Sequence, residues 1–122
     1  MSGKVLIIED NALNMRLFVD LLKFKGIEAE GLTNGLNILE KLAEINPTVV
    51  ITDVQLPEKT GYEIITEIRN SDAYSDIPIV AVTAFSLKGD SEKLLSAGAT
   101  HFLAKPIQMQ EFYDIILPYF KD

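Results

Sequence analysis

Apolar residues come in short β-branched runs, separated by segments in which they recur every three or four positions. Val5-Leu6-Ile7-Ile8 is the first run. Thr48-Val49-Val50-Ile51-Thr52, Ile79-Val80-Ala81-Val82 and the weaker His101-Phe102-Leu103-Ala104 follow. Continuous runs of this kind predict strands buried on both faces, as in a parallel sheet. Ile27 to Glu30 is more polar and reads as an edge strand. Between the runs, Leu13, Leu17, Leu21 and Phe24 fall on one helical face, as do Leu36, Leu39 and Leu42, and Tyr62, Ile65 and Ile68.

The punctuation agrees with this alternation. Asn11 can cap the first helix and Gly26 can stop it. Asn46-Pro47 stops the second. Thr60 with Glu63 predicts a capping box, in which each side chain satisfies a backbone N–H of the other residue. Asp90 can cap a fourth helix that Gly98 ends in the left-handed conformation. Pro118 ends or kinks the last helix, because its ring clashes with the preceding turn. A strand followed by a helix, repeated five times, predicts an α/β sandwich. Its sheet is parallel and five-stranded, with right-handed crossovers and helices on both faces. No linker, internal repeat or second domain interrupts residues 1–122.

Ligands of such sheets bind beyond the carboxyl ends of the strands. Glu9-Asp10 follows the first run, Asp53 the third, Thr83 the fourth and Lys105 the fifth. Taken singly, such an Asp is a helix cap, such a Lys a solvated surface residue and such a Thr part of its strand. Together they bring three carboxylates, a hydroxyl and an ammonium to one sheet edge. Two carboxylates about 4 Å apart repel by roughly 4 kcal/mol at an effective dielectric of 20, so three packed together call for a cation. The donors are all oxygens, which favours a hard ion, and magnesium fits best. Such a site suits phosphoryl transfer, and a carboxylate can itself be the nucleophile, becoming an aspartyl phosphate. Asp53 is the best candidate, with Lys105 and Thr83 placed to hold phosphoryl oxygens.

Composition narrows the function further. The 122 residues are 48% apolar, enough for one core. Eleven basic against 18 acidic residues leave a net charge of −7, which argues against nucleic acid and anionic membrane surfaces as partners. With no cysteine, disulfides and thiolate sites are excluded. No apolar run approaches the roughly 20 residues that span a bilayer, and no signal-peptide pattern opens the chain. The expectation is a cytoplasmic protein without membrane insertion. His101 stands apart from the other candidate ligands and reads as structural or surface.

These residues resemble a known family. Ile8-Glu9-Asp10-Asn11, Asp53-Val54-Gln55-Leu56-Pro57 with Gly61, Val82-Thr83-Ala84 and Lys105-Pro106 are similar to the motifs of receiver domains of two-component response regulators, over the whole chain. Within that family the likeness is to stand-alone receivers of the DivK type, which act in bacterial cell-cycle signalling. It is carried by Glu9 to Asn14, Gln55 to Glu58, Ala81 to Phe85 and Lys88-Gly89-Asp90. The resemblance implies a flavodoxin-like sheet ordered 2-1-3-4-5. It also implies that Asp53 accepts a phosphoryl group from a histidine of a sensor kinase or of a phosphotransfer protein. Asp10, Asp53 and the backbone carbonyl of Gln55 would bind Mg2+, for which Mn2+ can stand in, and Glu9 would act through water. Thr83 and Lys105 would hold phosphoryl oxygens, and Lys105–Pro106 would be a cis peptide bond. Thr83 would move toward the phosphoryl group and Phe102, the aromatic switch residue, would turn inward. The face of the fourth helix, fifth strand and fifth helix would change with them and be read by a downstream protein.

Some positions need separate mention. Gln55 and Phe85 occupy variable positions that tune phosphate lifetime in the family, and a bulky Phe85 would shield an acyl phosphate from water. Tyr119 and Phe120 either pack on the core or belong to a partner site, and packing is the favoured reading. An aspartyl phosphatase of the haloacid dehalogenase class would need a second Asp at position 55, where this chain has Gln. A flavodoxin-like cofactor binder would need a hydroxyl- and glycine-rich loop where Glu9-Asp10-Asn11 stands. The expectation is a phosphoacceptor that promotes its own phosphorylation and slow dephosphorylation, not a turnover enzyme. A shuttle in a multistep relay and a partner-binding module that is never phosphorylated are the alternatives.

Overall fold

The computed structural model describes residues 3–56, 58–84 and 88–120, with the side chains of 88–91 excepted. Pro57, Phe85 and the Asp90 side chain, each singled out above, lie outside the described residues. The elements run β1 (Lys4–Ile8), α1 (Ala12–Phe24), β2 (Glu28–Leu32), α2 (Ile38–Ile45), β3 (Val49–Asp53), α3 (Gly61–Arg69), β4 (Ile79–Thr83), α4 (Lys88–Ala97), β5 (His101–Ala104) and α5 (Met109–Ile116). A 3-10 turn, Leu117–Phe120, closes the fold around Pro118. The five strands are all parallel and ordered β2-β1-β3-β4-β5.

Two apolar layers cover the sheet. Val5, Ile7, Ile51, Val82 and Leu103 meet Phe18, Leu22, Phe112 and Ile116 of α1 and α5. Leu6, Ile8, Val50 and Ala81 meet Ile38, Leu42, Ile64, Ile68 and Leu94 of α2, α3 and α4. The inner strands β1, β3 and β4 therefore bury both faces, which is why they read as unbroken apolar runs.

Capping proceeds as the sequence predicts at most helix ends. Asn11 Oδ1 accepts from the Asn14 N–H at 3.0 Å. The Thr60–Glu63 capping box is formed. Gly26, Asn46 and Gly98 adopt positive φ beyond α1, α2 and α4. Asp90 instead lies inside the first turn of α4, because that helix already begins at Lys88.

The register of α1 departs from expectation. Of the stripe Leu13, Leu17, Leu21 and Phe24, Leu21 packs partly against the core, but Leu13, Leu17 and Phe24 face outward, with exposures of 80%, 41% and 79%, while Phe18 and Leu22 are buried. Helical spacing tells which residues share a face, but this helix has two apolar faces. The inner one carries Met15, Phe18, Val19 and Leu22, and Phe18 stacks on Phe112 with ring centroids 5.7 Å apart. The edge strand β2 is offset from the expected Ile27–Glu30, since Ile27 is buried just before the pairing with β1 begins. In the second helix Ile38 and Leu42 are buried, Leu39 is partly so, and Leu36 lies exposed before the helix.

The amino edge of the sheet is pinned by Arg69. Its Nε donates to the Gly98 carbonyl at 2.8 Å, Nη1 to the Ile77 and Ser75 carbonyls at 2.7 and 3.1 Å, and Nη2 to Thr100 Oγ1 at 3.1 Å. A Cβ at residue 98 would sit 2.6 Å from Arg69 Cγ, so glycine is needed there for space as well as for φ. At the same edge Phe120 is buried in the α1–α5 layer, and a Cβ on Gly3 would sit 3.1 Å from its ring. Tyr119 packs beside it and its hydroxyl is 2.8 Å from His101 Nε2. The aromatic end thus packs on the fold, and His101 has a structural contact.

Candidate functional site

Strand register brings the polar residues together. Ile8 of β1 lies beside Thr52 of β3, Asp53 beside Val82 of β4, and Thr83 beside Ala104 of β5. The residues at or just past these strand ends are Glu9 and Asp10, Asp53, Thr83 and Lys105. Asp53 proves to be the last residue of its strand rather than the first beyond it. Side-chain direction alternates along a strand, so Thr83 and Phe102, each next to a residue of the α1–α5 layer, point to the other side, toward α3 and α4.

The Lys105 ammonium is the hub. Its Nζ donates to Asp53 Oδ2 at 2.7 Å and lies 3.5 Å from Glu9 Oε1. The Lys105–Pro106 peptide bond is cis. Burial alone would lower the Lys105 pKa, but the hydrogen bond and charge of Asp53, joined by Glu9, outweigh it and hold it above its ordinary value. Asp53 is 4% exposed and Glu9 1%, whereas Asp10 is exposed. Backbone donors hold the two buried carboxylates. The Gln55 N–H reaches Asp53 Oδ1 at 3.1 Å, and the Asn11 N–H reaches Glu9 Oε2 at 3.1 Å.

Among the described residues, Glu9, Asp10 and Asp53 can each offer a carboxylate oxygen within 4.8 Å of the others. Glu9 Oε1 is buried and has no hydrogen-bond partner. A buried oxygen that is ion-paired to Lys105 at 3.5 Å but accepts no hydrogen bond, beside two further carboxylates, fits a divalent cation and its water shell, because these would satisfy its remaining lone pairs. Desolvation, and then the hydrogen bond and charge of Asp53, push Glu9 up to about 7, against the lowering effect of the Asn11 N–H and Lys105.

This shift has a signed consequence. A carboxylate whose folded pKa lies above its unfolded value stabilises the fold at low pH and loses that contribution as pH rises through the folded value. In EDTA, the wild-type protein is expected to lose on the order of 2 kcal/mol relative to Glu9→Gln between pH 5 and 8. A divalent cation binds the ionised form and reverses the trend. Thermal melts of both proteins across that range check this, and parallel curves in EDTA would refute it.

α3 reaches the site because residue 61 lacks a side chain. The Gly61 N–H donates to the Val54 carbonyl at 2.9 Å. A Cβ there would lie 2.5 Å from the Asp53 carbonyl oxygen and 2.7 Å from Val54 Cα. No helix among the described residues is long and apolar enough to cross a membrane.

Comparisons with known proteins converge. The response regulator receiver domain family matches residues 5–117. The chain is 39% identical to the polar-differentiation response regulator DivK of Brucella anthropi, over 100% of this chain and 99% of that protein. The receiver domain of sensor histidine kinase PA1611 from Pseudomonas aeruginosa, solved with magnesium in its active-site cleft, superposes with a TM-score of 0.87. It is 28% identical, over 98% of each chain. The Saccharomyces cerevisiae complex of the phosphotransfer protein Ypd1 with the receiver domain of Ssk1 contains a chain that matches with a TM-score of 0.86. That chain is 26% identical, with 98% of this chain and 90% of that one covered. Family, full-length relative and strand-end geometry lead to one conclusion: the chain belongs to the response regulator receiver domain family and is a DivK-like protein of two-component signalling.

Proposed function

We propose that this receiver accepts a phosphoryl group on Asp53 from a phosphohistidine of a sensor kinase or a histidine phosphotransfer protein. The observation that carries the reading is the buried Asp53 carboxylate, hydrogen-bonded by Lys105 and set among two further carboxylates. A carboxylate oxygen of Asp53 attacks phosphorus and the P–O bond forms. The P–N bond breaks, and the imidazole nitrogen keeps the electron pair and takes a proton from solvent. Lys105 and Thr83 hold oxygens of the transferred group, which offsets the charge that gathers there. Asp10, Asp53 and the Gln55 carbonyl would hold Mg2+, with Glu9 acting through water. The cation supplies charge neutralisation between carboxylate and phosphoryl group. The magnesium-bearing cleft of the Pseudomonas aeruginosa receiver and the Ypd1–Ssk1 pairing support this choice of ion and donor.

Phosphorylation adds negative charge and acceptor oxygens at Asp53. Thr83 moves to donate to them and Phe102, now 40% exposed, turns inward on the same side of the sheet. Its ring carries no hydroxyl to desolvate. The α4–β5–α5 face thereby changes, and a downstream protein reads it. The chain acts as a switch and not as a turnover enzyme, in the cytoplasm. Its likeness to DivK supports a place in cell-division control.

Intact mass tests the chemistry. Wild-type protein with acetyl phosphate and Mg2+ is expected to gain one phosphoryl group that hydroxylamine removes, with none gained in EDTA. Since some receivers could take phosphate only from a protein donor, the same assay is run with a phosphorylated histidine phosphotransfer protein. No adduct from either donor would refute the reading.

A further inference from the structure

Thr52 is a polar residue in an apolar place. It is fully buried in the centre of the sheet, between Ile8 of β1 and Ala81 of β4. Strand alternation sets it on the same side as Val50, toward the layer of α2, α3 and α4. A valine of nearly the same shape would fill this position without burying a hydroxyl. The hydroxyl donates to the Asp53 carbonyl at 3.0 Å. The N–H groups of Val50 and Val54 donate to the Pro78 and Val82 carbonyls of the β4 side. Peptide groups alternate along a strand, so that of Asp53 turns the other way, toward β1. The last pairing of β1 with β3 is Ile8 beside Thr52, and the Asp53 carbonyl therefore projects past the end of that ladder. Thr52 meets it there. Gly61 closes in as well, since a Cβ at residue 61 would lie 2.5 Å from the same oxygen.

We propose that Thr52 is a positioning residue for phosphoryl acceptance, an inference that rests on the reading of Asp53 as the acceptor. The hydroxyl bond closes a small ring through the ψ of Thr52 and the φ and ψ of Asp53. It thereby fixes the direction in which the Asp53 Cα–Cβ bond leaves the strand end. Beyond Cβ only two side-chain torsions remain. The Gln55 N–H on Oδ1, at 3.1 Å, and the Lys105 ammonium on Oδ2, at 2.7 Å, set those. The carboxylate is thus held from both ends for one line of approach to phosphorus. Without the hydroxyl the carbonyl end is free to rock, and the nucleophile spends less time on that line. Thr52 acts through the backbone of Asp53.

Two variants of the full chain separate the hydroxyl from the methyl. Thr52→Val keeps the shape and loses the donor, and Thr52→Ser keeps the donor and loses the methyl. Initial rates of adduct formation are read by intact mass, with whichever of the two donors above loads the wild type, at a Mg2+ concentration that no longer limits the rate. Thr52→Val is expected to be about tenfold slower than wild type. Thr52→Ser is expected to stay within about twofold of it. A packing role predicts the opposite order, because serine leaves a methyl-sized void and valine leaves none. Thermal melts read packing separately: Thr52→Ser is expected to melt below Thr52→Val, so the order of stabilities and the order of rates cross. Rates are taken at a temperature where the melts show all three proteins folded. Thr52→Val at the wild-type rate overturns the inference, as does Thr52→Ser as slow as Thr52→Val. A wild type loaded by neither donor overturns the reading of Asp53 itself, and the role of Thr52 falls with it.

Discussion

Asp53→Asn is expected to yield a folded protein that takes no phosphoryl group from acetyl phosphate or from a phosphohistidine donor. The substitution is nearly isosteric, and the Gln55 N–H that now meets Asp53 Oδ1 can still meet an amide oxygen. What disappears is the nucleophile, since a carboxamide oxygen carries no full negative charge to attack phosphorus. Lys105 loses its 2.7 Å partner but keeps Glu9 within reach. Glu9 in turn loses the neighbour whose hydrogen bond and charge help raise its pKa, so it ionises more readily. The fold therefore survives, while the stabilisation that Mg2+ gives to the wild type shrinks with the loss of one of three carboxylates. Intact mass and thermal melts with and without Mg2+ measure both effects. A phosphoryl adduct on the Asn variant at the wild-type rate would place the acceptor elsewhere.

Gly61→Ala is expected to damage both stability and phosphorylation. The added Cβ meets the Asp53 carbonyl oxygen and Val54 Cα, and both are backbone atoms that no rotamer change can move. α3 must retreat, stretching the Gly61–Val54 hydrogen bond and shifting the Thr60–Glu63 cap. Overpacking of this kind costs about 2–3 kcal/mol, a fall in Tm on the order of 10 °C for a domain of this size. The Asp53 backbone shifts with it, so the variant is also expected to accept phosphate more slowly at temperatures where it is fully folded. A Tm within a degree or two of wild type would show that the turn yields without cost.

Both variants bear on what could be read from the chain alone. Asp53, Thr83 and Lys105 were legible because an apolar run sets the end of each strand, and a polar residue at that end has few plain explanations when several ends agree. The strand order came from family resemblance, since crossover helices connect equally well in other orders. The backbone donors on Asp53 and Glu9 were not legible, because every residue but proline carries an N–H and only the turn decides where it points. Arg69 went unread for a similar reason. Three of its four bonds are to carbonyls, which no residue type announces. In α1 the periodicity grouped Leu13, Leu17, Leu21 and Phe24 but could not tell which apolar face turns inward, and only Leu21 of the four packs on the core. Phe18 wins that choice because it meets Phe112 across the layer, a contact 94 positions away in sequence.

The packing of Phe120 over Gly3 brings residues 3 and 120 side by side, at the edge of the sheet opposite the carboxylates. A fluorophore, an affinity handle or a surface tether attached beyond either residue would hang from the pole remote from Asp53. The same closeness would let a short peptide bridge residues 3 and 120, with the chain opened instead in an exposed loop such as that after Asn70. Such a rewired chain would keep the sheet and deliver the same strand ends to the acidic cleft.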